Sequence, residues 1–374
     1  MNTDTLAHHP AQLPLAADTA SACSAPTRMP ERLAQLFRPR GASDGAAHPL
    51  LPLLRAYRSR PGPLDPPARA VAQPAPTPVA GSVVMAGSTP AALPAIGTLA
   101  QRITALPPLP EAMTEVLLAL SLARLSANRS IELIERDPAL AARTLRLASS
   151  AFYGVPGRVA SIGDAVRMLG LRTVSGVLAA AAVHNAIRVG SCAGFRFQVY
   201  WHHAIATAIA ARALAPIAGH DADEAFLAGL MHDIGQLALA AFYPSQASAA
   251  LALAQAQDLP AEQTEEKVLG MAHPQVGALL AAHWHFPAAI VRAIAHHHLP
   301  ERAGAGCRLS LSGLVQGSDA LAHALDLSAD PDEALPVIEP AAWQALGLQQ
   351  GSALLILEAV ERGTHEIGAL LHQT

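Results

Sequence analysis

A chain of 374 residues with a formal charge of −4 and 51% apolar side chains exceeds one average domain, can bury a substantial core, and lacks the basic balance of a nucleic-acid binder. Three cysteines, Cys23, Cys192 and Cys307, lie too far apart for a metal-type pair or a disulfide framework, which fits a reducing cytoplasm. No basic segment followed by an apolar run opens the chain, and its most apolar stretch, Val174 to Val189, is broken by Ser175, His184, Asn185 and Arg188, so neither export nor a membrane span is expected.

Of the 30 prolines, 16 precede Ile96, in runs such as Pro61-Gly-Pro-Leu-Asp-Pro-Pro67 and Pro74-Ala-Pro-Thr-Pro78. No apolar period survives there, so residues 1–95 read as a disordered Pro/Ala-rich arm. Its Arg38-Pro-Arg40, Arg55, Arg58 and Arg60 read as solvated linker charges that keep the arm expanded, with docking onto an acidic partner as the sharper alternative.

From Ile96 onward the chain is rich in Ala and Leu, broken by single Gly or Pro residues, and almost free of period-two alternation, which predicts an all-α body. A first helix starts near Leu109-Pro-Glu111, with Met113, Val116, Leu117 and Leu120 on one face. Ser130 caps a short helix through Arg136, and Asp137-Pro138 starts another. Ser161-Ile-Gly-Asp164 has a capping-box layout and opens a helix that Gly170 closes. Trp201 to Ala215 reads as one helix ended by Pro216 and Gly219. Asp221-Ala-Asp-Glu224 repeats the cap and opens a helix that runs into Met231-His-Asp-Ile-Gly235. Further helices are predicted over 261–269, 274–285 and 288–296, with two more in the tail.

Ten of the 17 histidines lie between Trp201 and Pro300, nearly all at helix ends or at spacings that turn them inward together. The doublet His232-Asp233 is the most informative. Neighbouring helix positions point about 100° apart, so both side chains reach one ion only where a helix is ending, and Gly235 is the residue expected to end it. An imidazole beside a carboxylate suits a divalent transition metal such as Fe, Mn, Ni or Zn.

With those residues in view, the sequence resembles the HD superfamily of metal-dependent phosphohydrolases. His203 in Trp201-His-His203, the doublet within Ala228-Gly-Leu-Met-His-Asp-Ile-Gly235, and Asp319 in Ser318-Asp-Ala-Leu-Ala322 match its H…HD…D order. His273 in Met271-Ala-His-Pro-Gln-Val-Gly277 and the pair His297-His298 match further histidines of the HDOD and HD-GYP branches. Upstream, Leu106-Pro-Pro-Leu-Pro110, Asp137-Pro-Ala-Leu140, Ala148-Ser-Ser-Ala-Phe-Tyr-Gly154 and Ile162-Gly-Asp-Ala-Val-Arg-Met-Leu-Gly170 are similar to HDOD hallmarks. The resemblance implies an HDOD domain over 96–300 in a multi-helix bundle, with 301–374 a helical extension packed on it.

It also implies a regulatory module of bacterial signalling that acts through protein contacts without catalysis. Leu299-Pro-Glu-Arg302 follows the histidine pair where HD-GYP enzymes carry Gly-Tyr-Pro, and Gln236 stands where they carry a Lys. The implied metal ligands are His203, His232, Asp233 and Asp319, against a hydrogen-bonded polar network left after catalysis was lost. His273, His297 and His298 either complete a second metal position or contact a phosphate, or else sit as helix-end histidines on terminal carbonyls. His202, His283, His285 and His296 are expected to be solvated. Two other functions stay open: a metal-dependent phosphohydrolase or phosphodiesterase acting on a nucleotide, and a nucleotide-binding sensor without turnover. Partners are expected among signalling proteins, with no nucleic acid and no membrane.

Overall fold

The computed structural model describes residues 35–37, 48–59, 96–106, 161–169, 190–300, 309–327 and 346–371, together with scattered positions in 131–145, 174–187 and 335–344. All regular structure among the described residues is helical. The expected helices after Pro110 and after Asp137, and most of the apolar Val174–Val189 stretch, lie outside the described residues, as do Arg38, Arg40 and Arg60.

Twelve helices run through the described residues: α1 Leu51–Arg58, α2 Ile96–Thr104, α3 Ile162–Leu169, α4 Phe197–Ala218, α5 Ala222–Met231, α6 Ile234–Phe242, α7 Pro244–Gln257, α8 Ala261–Leu269, α9 His273–His283, α10 Ala288–His296, α11 Leu311–Leu325 and α12 Gln350–Leu371. α4 is the centre. Its Ala204, Ala208, Ala211, Leu214 and Ala215 are fully buried, and it packs against α5, α11 and α12; a helix apolar all round is one enclosed by neighbours. Helices α6 and α7 escaped the sequence reading for a related reason. α6 buries Leu237, Ala238, Leu239 and Ala240 in succession, and the Ala-rich α7 carries no apolar stripe, so neither shows an amphipathic period.

The punctuation expected from the sequence is present where it is described. The Asp221 carboxylate accepts hydrogen bonds from the Asp223 and Glu224 N–H groups, each at 3.0 Å. Ser161 Oγ accepts from the Asp164 N–H at 3.1 Å and donates to the Asp164 carboxylate. Gly219 ends α4 in the left-handed region at φ 74°, a conformation that costs glycine least. Pro216 lies inside α4 rather than beyond it. The stretch Ala222–Phe242 is apolar enough to cross a membrane by length and composition, yet most of it is buried inside the protein.

The described parts of the first 95 residues are docked. α1 packs against α12. Tyr57 Oη donates to Glu361 Oε2 at 2.6 Å, the Leu335 N–H donates to the Leu36 carbonyl at 3.0 Å, and Arg58 donates to the Ala324 carbonyl at the end of α11 at 3.5 Å. Arg55 is exposed. Arg58 therefore caps a helix end, where a cation is favoured, instead of serving as a free linker charge.

Candidate metal centre

Four helices and one junction deliver the histidine cluster. α4 carries His203, the α5–α6 junction carries His232 and Asp233, α9 opens on His273, α10 ends into His297 and His298, and α11 carries Asp319 and His323. Two glycines make the convergence sterically feasible. A Cβ on Gly229 would lie 2.9 Å from Ala208 Cα and from the Thr207 carbonyl, so the α4–α5 crossing is close enough to set His203 Nε2 3.3 Å from His232 Nε2. A Cβ on Gly235 would fall 1.9 Å from the His273 carbonyl and 2.8 Å from Gly277 N, so α6 packs backbone to backbone on α9 and brings His273 beside Asp233.

That contact corrects the expected role of Gly235. α5 ends at Met231, and the break is made by Asp233 itself, at φ −98° and ψ 12°. Gly235 lies inside α6 and is required for close approach, not for a left-handed turn. The consequence expected for the doublet still follows: at the break both side chains point into one site, with His232 Nε2 3.3 Å from Asp233 Oδ2.

Asp233 is the shared member. Its Oδ2 faces His232 and, at 3.9 Å, His203 Nε2. Its Oδ1 faces His273 Nε2 at 3.2 Å and His297 Nε2 at 3.4 Å. Asp319 Oδ1 lies 3.0 Å from His203 Nε2, 3.2 Å from His323 Nε2 and 3.8 Å from His232 Nε2. His298 Nε2 stands 3.0 Å from His273 Nε2. The ligand atoms form overlapping sets: Asp233, His273, His297 and His298 on one side; His203, His232 and Asp233, with Asp319 and His323 around His203, on the other.

The other ring nitrogens fix the orientations. The His232 Nδ1–H donates to the Gly229 carbonyl at 2.7 Å, and the His297 Nδ1–H donates to the Ile294 carbonyl at 2.8 Å. For His297 the helix-end carbonyl contact and the inward-facing Nε2 thus coexist. Glu265 Oε2 accepts from both the backbone N–H and the Nδ1–H of His273, each at 2.7 Å. Such outer partners set the tautomer of a ligating imidazole and raise its basicity. Neither Glu265 nor His323 was found from the sequence. His323 carried a readable signal, four residues after Asp319 on one helix face, whereas Glu265 lies eight residues before His273 across a helix break.

Electrostatics follow from burial. Asp233 is 6% exposed and Asp319 2%. Desolvation pushes both carboxyls up, but His232, with His273 and His297, around Asp233, and His323 with His203 around Asp319, hold both well below the usual carboxylate range. His273 loses by burial but is raised well above an ordinary imidazole by Glu265 and Asp233. His232 is likewise raised by Asp233 against its burial. Burial and neighbouring imidazoles lower His203, His297 and, most strongly, His298.

Among the described residues, three buried polar atoms have no hydrogen-bond partner: Asp233 Oδ1, His297 Nε2 and Asp319 Oδ1. All three lie at ion-pair distances from imidazole nitrogens or carboxylate oxygens, but without hydrogen-bond alignment. Buried polar groups left in that state are costly and call for a partner. Imidazole and carboxylate donors converging on the same points are the chemistry of a divalent transition metal, and these residues fit one. Of the four histidines expected to be solvated, His285 and His296 are exposed and His202 and His283 partly so.

The HDOD domain family matches residues 106–300, more than half of the chain. A candidate phosphohydrolase from Shewanella amazonensis is 30% identical, with a TM-score of 0.57 over 73% of this chain and 97% of that one. An HDOD domain protein of unknown function from Geobacter sulfurreducens shares the fold at 22% identity and a TM-score of 0.58, covering 73% of this chain and 95% of that one. A candidate signal transduction protein from Marinobacter aquaeolei does so at 24% identity and a TM-score of 0.64, covering 74% of this chain and 65% of that one. An uncharacterized protein of Treponema pallidum is 27% identical over 206 residues, which span 54% of this chain and 40% of that relative. The motif order, the helical architecture and these matches together place the chain in the HDOD domain family.

Proposed function

We propose that this chain is a cytoplasmic signalling protein whose HDOD pocket holds divalent transition metal around Asp233 and which passes its signal by protein contacts, without turnover. The observation that carries the reading is the orphaned buried set of Asp233 Oδ1, His297 Nε2 and Asp319 Oδ1, drawn from helices far apart in the chain. His203, His232, Asp233 and Asp319 would hold one ion, and Asp233, His273, His297 and His298 a second. A bound ion is a Lewis acid toward phosphoryl oxygen and, since it collects side chains from α4, α9, α10, α11 and the α5–α6 junction, it also ties the bundle together. His232, Asp233, His273, His297 and Asp319 are all buried, and the partly buried Gln236 offers no cation to a phosphate.

The test begins with elemental analysis of the full chain, as purified and after reconstitution with Fe, Mn, Ni or Zn, beside His232→Ala. Stoichiometric metal lost in the variant supports the metal part; absence after reconstitution overturns it. The loaded protein is then offered nucleotide substrates and scanned for ligand-induced thermal stabilisation. Hydrolysis abolished by Asp233→Ala would instead establish the phosphohydrolase reading, favoured by the 30% identical Shewanella protein. Stabilisation without hydrolysis would establish a nucleotide sensor.

A further inference from the structure

His323 belongs to no part of the H…HD…D pattern, yet it enters the cluster. Residues four apart on a helix stand one above the other, so Asp319 and His323 share the inner face of α11. His323 Nε2 lies 3.2 Å from Asp319 Oδ1, the oxygen that His203 Nε2 approaches to 3.0 Å from the other side. The two rings are tilted by only 31° with centroids 4.2 Å apart, so they present their nitrogens side by side. Asp319 Oδ1 nonetheless has no hydrogen-bond partner. Two imidazoles bracketing a carboxylate oxygen without bonding it are arranged for a point that all three share.

We infer that His323 is a further metal ligand, which closes the coordination sphere of the ion between His203, His232, Asp233 and Asp319. This rests on the metal reading above and sharpens it. Without His323, that side offers two imidazoles and two carboxylates, leaving a six-coordinate ion two positions for water or substrate. With His323 it offers three imidazoles and two carboxylates, leaving one. Ions that hold a structure are enclosed by protein ligands, whereas hydrolytic ions keep positions open. A site with three nitrogens also selects a transition ion over Mg or Ca, which prefer oxygen. The His323 side chain is 26% exposed, more than those of His203 at 10%, Asp319 at 3% or His232 at 1%. As a ligand it would be the one of these four most open to solvent, and it would take a position that water or a phosphate oxygen could otherwise fill.

The experiment loads metal-free full-length protein and His323→Ala with Mn(II). Binding is followed by the electron paramagnetic resonance of free Mn(II), and water access by the longitudinal relaxation of solvent protons. The variant should bind Mn(II) more weakly by roughly 10–100-fold, at least the range that loss of a ligand-orienting group costs. It should also relax water faster per bound ion. Millimolar imidazole should reverse both changes in His323→Ala and do nothing to wild type, which a merely structural side chain would not show. Equal affinity and equal relaxation in the two proteins would reduce His323 to a neighbour of Asp319 and overturn this assignment alone. A wild type that takes up no Mn(II) and none of the other ions overturns the metal reading itself, and this assignment with it.

Discussion

The two sides of the Asp233 carboxylate are built differently. On the Oδ1 side, His273 is fixed from behind by Glu265, which accepts from both its Nδ1–H and its backbone N–H. On the Oδ2 side, His232 is held from behind by the Gly229 carbonyl, and a second carboxylate, Asp319, lies among the histidines with His203 and His323 at either hand. Anionic charge outside the ring raises the imidazole and makes it a proton holder in the metal-free protein. Anionic charge inside the ring makes the site itself the acceptor. The same residue types give one half a preset histidine and the other an excess of ligand oxygen.

The sharpest way to break the comparison is to remove the member both halves share. Asp233→Ala should abolish metal uptake on both sides, read by elemental analysis, while helical circular dichroism at room temperature persists because the helices are packed by their apolar faces. Loss of all helical signal would instead make Asp233 a folding residue. Next in size is Gly235→Ala. An added Cβ at 1.9 Å from the His273 carbonyl cannot be absorbed by a side-chain movement, so α6 and α9 must separate, at a cost of about 3 kcal/mol or more. Urea unfolding should show the lowered midpoint, and Oδ1-side metal should be lost before Oδ2-side metal.

Glu265→Ala tests one half alone. Breaking a buried pair by deleting one partner costs about 3 kcal/mol, and the Oδ1-side ion should bind roughly 10–100-fold more weakly while the Oδ2-side ion is unchanged. Glu265→Gln, which keeps an acceptor, should fall between.

The two states of the pocket should then diverge with pH. In the metal-free protein His232 and His273 are raised above their ordinary 6.5, so they take up protons on folding. Their stabilisation is complete below that value and is lost as pH rises through their folded pKa values. Asp233 and Asp319, held below their ordinary 3.8, stabilise above that value and cease to do so as pH falls through theirs. Metal binding runs the other way from the histidine effect, because His232 and His273 must release protons to ligate. Metal affinity should therefore climb over the range above pH 6.5 in which metal-free stability declines, measured by competition with a chelator and by thermal unfolding. The smallest effect is expected far from both halves. Tyr57→Phe removes the hydrogen bond to Glu361 and should cost about 1 kcal/mol with metal uptake unchanged.

Part of this protein is determined by local rules that a sequence displays. Asp221, Ser161 and Gly219 act within a few residues of their own position, so the boundaries they set were legible, as was an all-helical body from Ala- and Leu-rich stretches without alternation. The residues that converge at the pocket were legible too, because His203, the His232-Asp233 doublet, His273, His297-His298 and Asp319 stand in a fixed order. What only the tertiary structure decided depends on approach between helices. Gly235 reads as a helix stop in one dimension and proves to be a contact point against the His273 backbone. Glu265 joins the site because the turn at Gly270 folds α8 back beside α9, a geometry no spacing rule encodes. The described stretch through Arg58 reads as solvated by composition, yet α1 docks on α12, since a short amphipathic helix gains its stability from the surface it meets rather than from its own residues.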